Sequence, residues 1–496
     1  MKQPDKKTKI IVTLGPATST CEEVTKLILC GADIIRINFS HGDKDSRLKL
    51  VQAAREASEK LNIQIPLIGD LQGPKIRTGL LDQNIIKDKI KPINPGDHIF
   101  LSGDKSYAPP YRGSGDSIES PIFVSLKTLF DQVDKGSQIF LDDGMLTFEV
   151  VDKIPENKII KCSVIEGEFL AENKGVNIPA MKSAATTLSE KDWEDVQFCL
   201  DHNLEFIAYS FVMSHKEVKS LKEYLDKQNA PQKIIAKIEK NEALNDLEEI
   251  IKYCEGALVA RGDLGVEIGN HKVPGAQKII SRLCKQEAKI CIIATQMLTH
   301  MVNHAKPTRA EASDIANAVL EKNDALMLSN ETTVGKYPFK AVEIMKKIII
   351  ETEANQLNDP TRNRRNRKVN VEITKTEAIE RSAVNIANGI NAAAIACLSR
   401  TGQSARFLSK YHPSVPIYVF TPNEIVASQL NIRRGLYPIF FEESKSNNFE
   451  IFDYIHNKIK ELNLIEENSL LVISGGFPPT MNPGSTNTLM IKGNFS

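Results

Sequence analysis

The chain has 496 residues, 41% of them hydrophobic and 25% charged, and its 63 basic side chains balance 63 acidic ones. That composition excludes global disorder. A formal net charge of zero leaves no whole-molecule field to draw in nucleic acid or an anionic membrane, so neither is expected as a partner. No apolar run approaches the roughly 18 residues that span a bilayer, and the N-terminal stretch MKQPDKKTKIIVTLG passes from a polar stub into a strand without a signal-peptide apolar region. The eight cysteines are scattered and form no CxxC. They read as buried thiols of a cytoplasmic protein, not as disulfides or a zinc cage.

In chain order, eight short apolar runs alternate with amphipathic helical stretches. The runs are Lys9-Leu14, Asp33-Asn38, Pro66-Asp70, Glu205-Val212, Lys233-Glu239, Gly256-Arg261, Lys289-Thr295 and Asp324-Ser329. Near-continuous apolarity over so few residues fits parallel strands buried on both faces. The helical stretches include Cys21-Cys30, Asp45-Leu61, Ser214-Asn229, Leu244-Cys254, Gln277-Ala288 and Arg309-Glu321, the last entered through Pro307-Thr308. The alternation predicts an α/β fold, a (β/α)8 TIM barrel, with an open doubly wound sheet as the alternative.

Between the third and fourth runs the texture changes to short alternating segments separated by glycine turns, such as INPGDHIFLSG and DKGSQIFLDDG. This predicts an inserted β-barrel or sandwich domain over 75–186, a lid on a barrel formed by 1–74 and 187–355. A C-terminal α/β domain is predicted over 356–496, with strands at Ala394-Leu398, Ile417-Phe420 and Ser469-Ile473. The basic run Asp359-Lys368 reads as a solvated linker rather than a nucleic-acid patch, given the zero net charge.

A barrel places its chemistry at the C-terminal ends of its strands. Those ends carry Arg36-Gly42, Asp70, Lys237-Glu239, Arg261-Gly265, Thr295-Gln296 and Ser329-Glu331. Glu239 and Asp263 end adjacent strands, about 4.8 Å apart, and so can share one hard dication, Mg2+ or Mn2+. Lys237 lies two residues before Glu239 and points to the same face, where an ammonium stabilises a transferred phosphoryl or an enolate. Arg261-Gly262-Asp263-Leu264-Gly265 reads as a strand-to-helix turn whose backbone N–H groups suit a carboxylate. Neither a P-loop nor a G-x-G-x-x-G follows the first strand. His300 and His304, four apart, lack a third zinc ligand, and Trp193, Cys284 and Cys291 read as packing.

The motifs TLGPATS (Thr13-Ser19), RINFSHG (Arg36-Gly42), GPKIRTG (Gly73-Gly79), NKGVNIP (Asn173-Pro179), KIE (Lys237-Glu239), ARGDLGVEI (Ala260-Ile268), ATQML (Ala294-Leu298), PTRAEASDIANAV (Pro307-Val319) and LSNET (Leu328-Thr332) resemble those of the pyruvate kinase family in order and spacing. The resemblance implies phosphoryl transfer from phosphoenolpyruvate to ADP in glycolysis, with a divalent cation, in a homotetramer. It implies Glu239 and Asp263 as Mg2+ ligands and Lys237 as the lysine of the phosphoryl transition state. Arg36 would contact the phosphate, and Gly262, Asp263 and Thr295 the substrate carboxylate. Asn38, Phe39, Ser40, His41, Arg77 and Lys174 fall on nucleotide positions. Thr295, Ser329 and Glu331 are candidates for the proton route to the enolate.

The chain departs from the family pattern at several points. Asp70-Leu71-Gln72-Gly73-Pro74-Lys75 stands where Asp-Thr-Lys-Gly-Pro-Glu is common. Asn38, Ser40, Asp70 and Leu71 match the family's K+ site, and the Lys75 ammonium is expected to substitute for the ion, so that K+ is not required. Asn330 replaces a glycine and Met213 an arginine. In the C-terminal domain, Ser399, Thr401, Gly402 and Ser404 resemble a phosphorylated-effector loop, with Gly475-Gly476 and Pro483-Gly484 facing it. A carbon-carbon lyase using the same carboxylate pair would leave the insert and the Arg36-His41 motif without a role. A non-catalytic copy would be expected to lose Lys237, Glu239 or Asp263.

Overall fold

The computed structural model describes residues 4–73, 76–81, 90–107, 121–142, 144–179, 188–357, 373–442, 450–477 and 484–493. The eight apolar runs form eight parallel strands: Lys9–Thr13, Ile34–Asn38, Leu67–Asp70, Phe206–Tyr209, Lys233–Ile238, Gly256–Ala260, Ile290–Ala294 and Ala325–Leu328. They close into a barrel when the first pairs with the eighth, Lys9 opposite Ala325. Alternate side chains fill its interior: Ile11, Ile34, Ile68, Phe206, Ile235, Leu258, Ile292 and Met327 pack as one buried cluster. Ile432, from the C-terminal unit, joins that cluster and plugs the barrel floor. The barrel interior is therefore packed solid, and its chemistry is expected at the C-terminal mouth.

Helix entries follow local capping chemistry. Thr308 begins the helix Arg309–Leu320 with a capping box, its hydroxyl accepting from the Glu311 N–H while the Glu311 carboxylate accepts from the Thr308 N–H. Two helix readings need correction. The stretch Leu244-Cys254 is two helices, Asn241–Asn245 and Leu247–Tyr253, broken at Asp246, whose carboxylate accepts from the backbone N–H of His215. The Arg261-Gly265 segment is no turn: the helix Arg261–Ile268 starts on the residue after the sixth strand.

The insert contains a six-stranded sheet, in the order Val176–Asn177, Gln138–Leu141, Leu146–Ile154, Ile159–Glu166, His98–Ser102 and Ile122–Phe123, beside a two-stranded ribbon. It has its own core, centred on Leu101, Phe148, Ile160 and Val150. The C-terminal unit is a five-stranded sheet in the order Leu436–Phe440, Ile417–Thr421, Ala394–Leu398, Leu471–Gly475 and Thr488–Lys492, with only the last strand antiparallel. It is tied to the barrel by buried charge. Glu255, just before the sixth strand, pairs with Arg433 at 2.5 Å and Arg406 at 3.1 Å. Burial alone would raise its pKa, but these cations outweigh burial and hold it down to about 2. Arg434 pairs with Glu353 at 3.0 Å.

Among the described residues, no helix is long and apolar enough to cross a membrane, and all eight cysteines are free thiols.

Candidate active site

A cavity of about 120 Å³ opens at the barrel mouth. Its cationic wall is Arg36, Arg77 and Lys237, and its acidic wall is Glu239 and Asp263. Asn38, Ser40, His41, Gln72, Ser210, Thr295 and Ser329 complete the polar lining.

The wall is built by strand register. Arg36 lies opposite Thr13 on one side and Ile68 on the other, and its guanidinium bridges Asp70 (2.5 Å) and the Thr13 hydroxyl (3.0 Å). Asp70 is buried beneath the cavity, with Lys237 Nζ 3.3 Å from its other oxygen. Burial would push its carboxyl up, but Arg36 and Lys237 outweigh this and hold it below the usual range. Lys237 also donates to Ser210 Oγ at 2.7 Å and pairs with Glu239 at 3.0 Å. Burial works against its charge, yet Asp70 and Glu239 prevail and raise its pKa above the ordinary lysine value. A permanent cation therefore lies at the cavity wall.

Glu239 is buried, and burial pushes its carboxyl up. Lys237 opposes that push and Asp263 adds to it. One oxygen accepts the Phe211 N–H at 2.7 Å. The other, Oε1, is buried and accepts no hydrogen bond of good geometry, having only the Lys237 charge for company. The Asp263 carboxylate makes no hydrogen bond or ion pair among the described residues. Two facing carboxylates with unused lone pairs are what a hard dication needs, so the donor set fits Mg2+ or Mn2+. No cluster of three or more His, Cys, Asp or Glu side chains able to hold a metal exists among the described residues. The remaining ligands would thus be water or substrate oxygens.

The backbone at the mouth is strained. Phe211, Thr295 and Gln296 have φ of 56°, 66° and 55°. This left-handed region costs a non-glycine residue about 1–3 kcal/mol. The strain aims specific groups: Phe211 its N–H at Glu239, and Thr295 its side chain at the cavity. Close packing against Phe211 and φ of 65° also make Gly73 obligatory, since an added Cβ would lie 2.8 Å from that ring.

The cavity does not gather every expected residue. The Phe39 ring is in the core against Phe198. Lys174 sits apart from the lining, paired with Asp142 at 2.8 Å. Leu71 is buried, its carbonyl accepting from the Ser210 hydroxyl. The Gly262 N–H donates to Thr295 Oγ1 at 2.9 Å. Glu331 is buried with both oxygens engaged by the N–H groups of Leu298 and Ser329. It braces the Ser329 backbone and is absent from the cavity wall. Lys75 and Pro483 lie outside the described residues. Ser210 and Phe211 line the cavity although they were not singled out from the sequence, and Gln72, noted there only as a departure from the family pattern, lines it too. The hydroxyl two residues before the end of the fourth apolar run was the available signal for Ser210.

In the C-terminal unit, Gly402 (φ 79°) caps the helix Gln403–Lys410. Ser399 is buried and Thr401 exposed, and the Ser404 hydroxyl bonds to that of Thr486 at 2.7 Å. Below them Glu380 is wholly buried, and neither of its oxygens accepts a hydrogen bond of good geometry among the described residues.

A cation-rich cavity beside two carboxylates with unused lone pairs, at the mouth of a closed parallel barrel, marks a barrel enzyme that handles anionic, phosphorylated substrates. Comparison with known proteins narrows the class. Residues 5–342 match the family model for the pyruvate kinase barrel domain, and residues 377–492 that for the pyruvate kinase alpha/beta domain. The chain is 35% identical over 486 residues to a pyruvate kinase of Staphylococcus aureus (strain MRSA252), covering 98% of this chain and 80% of that relative. It is 36% identical over 474 residues to pyruvate kinase 2 of Synechocystis sp. (strain ATCC 27184 / PCC 6803 / Kazusa), covering 95% and 76%. The chain belongs to the pyruvate kinase family and is a phosphotransferase.

Proposed function

We propose that the chain catalyses Mg2+-dependent phosphoryl transfer from phosphoenolpyruvate to ADP, as the pyruvate-forming step of glycolysis in the cytoplasm. The observation that carries this reading is the Lys237 ammonium, held charged between Asp70 and Glu239 at the cavity wall. Arg36 and Lys237 take the substrate phosphate. Thr295, with the Gly262-Asp263 segment, orients the carboxylate end. As the phosphoryl leaves, negative charge grows on its oxygens and on the enolate, and Lys237 stabilises both without moving. Glu239 and Asp263 would hold Mg2+ or Mn2+, which when bound supplies further neutralisation of phosphate charge.

Thr295 and Ser329 hydroxyls line the cavity and carry the proton to the enolate. Glu331 serves that route by bracing Ser329. Asn38, Ser40, His41 and Arg77 bind ADP, and Lys174 reaches its phosphates by leaving Asp142. Phe39 supports this wall from the core. The barrel, lid and C-terminal domains divide at 1–74 with 187–355, 75–186 and 356–496. The active unit is a homotetramer, and a phosphorylated effector binds at Ser399, Thr401, Gly402 and Ser404. A coupled assay tests the central reading: ATP forms from phosphoenolpyruvate and ADP only when Mg2+ or Mn2+ is present. No ATP under those conditions rejects it.

The reading includes independence from K+. Asp70 is already neutralised by Arg36 and Lys237, and by its place in the motif Lys75 is the residue that substitutes for the ion. Replacing K+ with an inert organic cation is expected to leave turnover within about twofold, because a fixed ammonium fills the same electrostatic role. A tenfold or larger loss, on that same principle, contradicts it.

A further inference from the structure

Arg261 begins the helix after the sixth strand, and its side chain reaches the turn after the neighbouring seventh strand. Nε and Nη2 donate to the Thr295 carbonyl at 3.2 and 2.6 Å, and Nη2 also reaches the Gln296 carbonyl at 3.2 Å. Nη1 is anchored to Asp314 at 2.6 Å. The two residues whose carbonyls it gathers are the two consecutive left-handed residues of the mouth. A β-branched threonine does not rest in that conformation unaided, and both carbonyls face one guanidinium whose fork geometry suits several acceptors at once.

We infer that Arg261 is a positioning residue for the phosphoryl-transfer reaction: it locks the strained Thr295-Gln296 turn so that the Thr295 hydroxyl is aimed into the cavity. The hydroxyl oxygen accepts from the Gly262 N–H, so its own proton remains to be donated toward substrate. Arg261 touches no reacting atom. It acts through Thr295, and the inference rests on the reading that Thr295 belongs to the active site.

The test compares Arg261→Met, Arg261→Lys and Arg261→Met with Gln296→Gly, alongside Thr295→Ala. Arg261→Met is expected to lower kcat roughly ten- to a hundredfold, as small misplacements near reacting atoms do, with the KM for ADP within about twofold, since its wall is not moved. Arg261→Lys should recover part of the loss. Adding Gln296→Gly should recover more, because glycine occupies the left-handed region freely, an effect a general structural defect would not produce. Arg261→Met with wild-type kcat, or a loss that neither Lys nor Gln296→Gly relieves, overturns the inference. If Arg261→Met fails to fold, Asp314→Asn, which frees only the anchor, is read the same way: a lowered kcat supports, an unchanged one overturns. Full activity in Thr295→Ala would reject the site reading itself, which separates the two failures.

Discussion

Lys237→Met is expected to cut the rate of ATP formation from phosphoenolpyruvate and ADP about a thousandfold or more, while the KM for ADP changes little. A preorganised charge at a developing anion contributes at the upper end of single-group effects, because it needs no reorganisation as the reaction proceeds. Here the charge is unusually well fixed. Asp70 lies at 3.3 Å, Glu239 at 3.0 Å and the Ser210 hydroxyl at 2.7 Å, and the two carboxylates overcome the burial that would otherwise discharge the amine. Removing it also leaves Asp70 and Glu239 without their shared cation, and breaking a buried pair destabilises by about 3–5 kcal/mol. Circular dichroism and a thermal melt must therefore accompany the assay. A folded Lys237→Met protein with more than about a tenth of wild-type kcat would refute the role, since losing one preorganised donor costs at least a hundredfold.

The second large effect is on stability. Glu380→Gln is expected to raise the melting temperature, by an amount that grows with pH. Burial drives the Glu380 carboxyl from 4.5 up to about 8, the hydroxyls of Ser474 and Ser404 only partly offsetting it. The Cys397 thiol also faces it, its own pKa pushed well up. The folded chain therefore holds this proton more tightly than the unfolded chain does. The group favours the fold most below about pH 4.5, and that contribution is lost as pH rises to about 8. Each pKa unit is about 1.4 kcal/mol, so the full penalty above pH 8 is of order 4–5 kcal/mol. A glutamine, neutral at every pH, removes it. Melting curves at pH 5 and pH 8.5 should show little difference between the two proteins at the first and several degrees in favour of the variant at the second. A variant no more stable than wild type at pH 8.5 contradicts the assignment.

The barrel was legible because parallel strands buried on both faces must be apolar throughout, and the eight runs stand out from the polar helices around them. The C-terminal sheet was less so. Leu436–Phe440 carries Pro438 at the sheet edge, where a missing donor is tolerated but the strand signal is lost. The antiparallel edge strand Thr488–Lys492 is only partly buried, so it lacks the continuous apolarity of the inner strands. Charged residues at strand ends were readable for the same reason as the strands. Backbone strain was not: nothing in Phe211, Thr295 or Gln296 as residue types announces a left-handed turn, so neither the aimed Phe211 N–H nor the Arg261 clasp had a local signature. Glu331 is the converse case. Its place in a strand-end motif suggested a part in the proton route, and the fold adds what the motif could not show: each carboxylate oxygen accepts a backbone N–H, of Leu298 and of Ser329.

The most direct measurement is a crystal structure with Mn2+ and oxalate, an enolate mimic. Manganese is expected to be ligated by Glu239 and Asp263 together, with oxalate completing the shell beside the Lys237 ammonium and the Thr295 hydroxyl. Manganese bound away from those two carboxylates, in a crystal where the mouth is open to solvent, would contradict it.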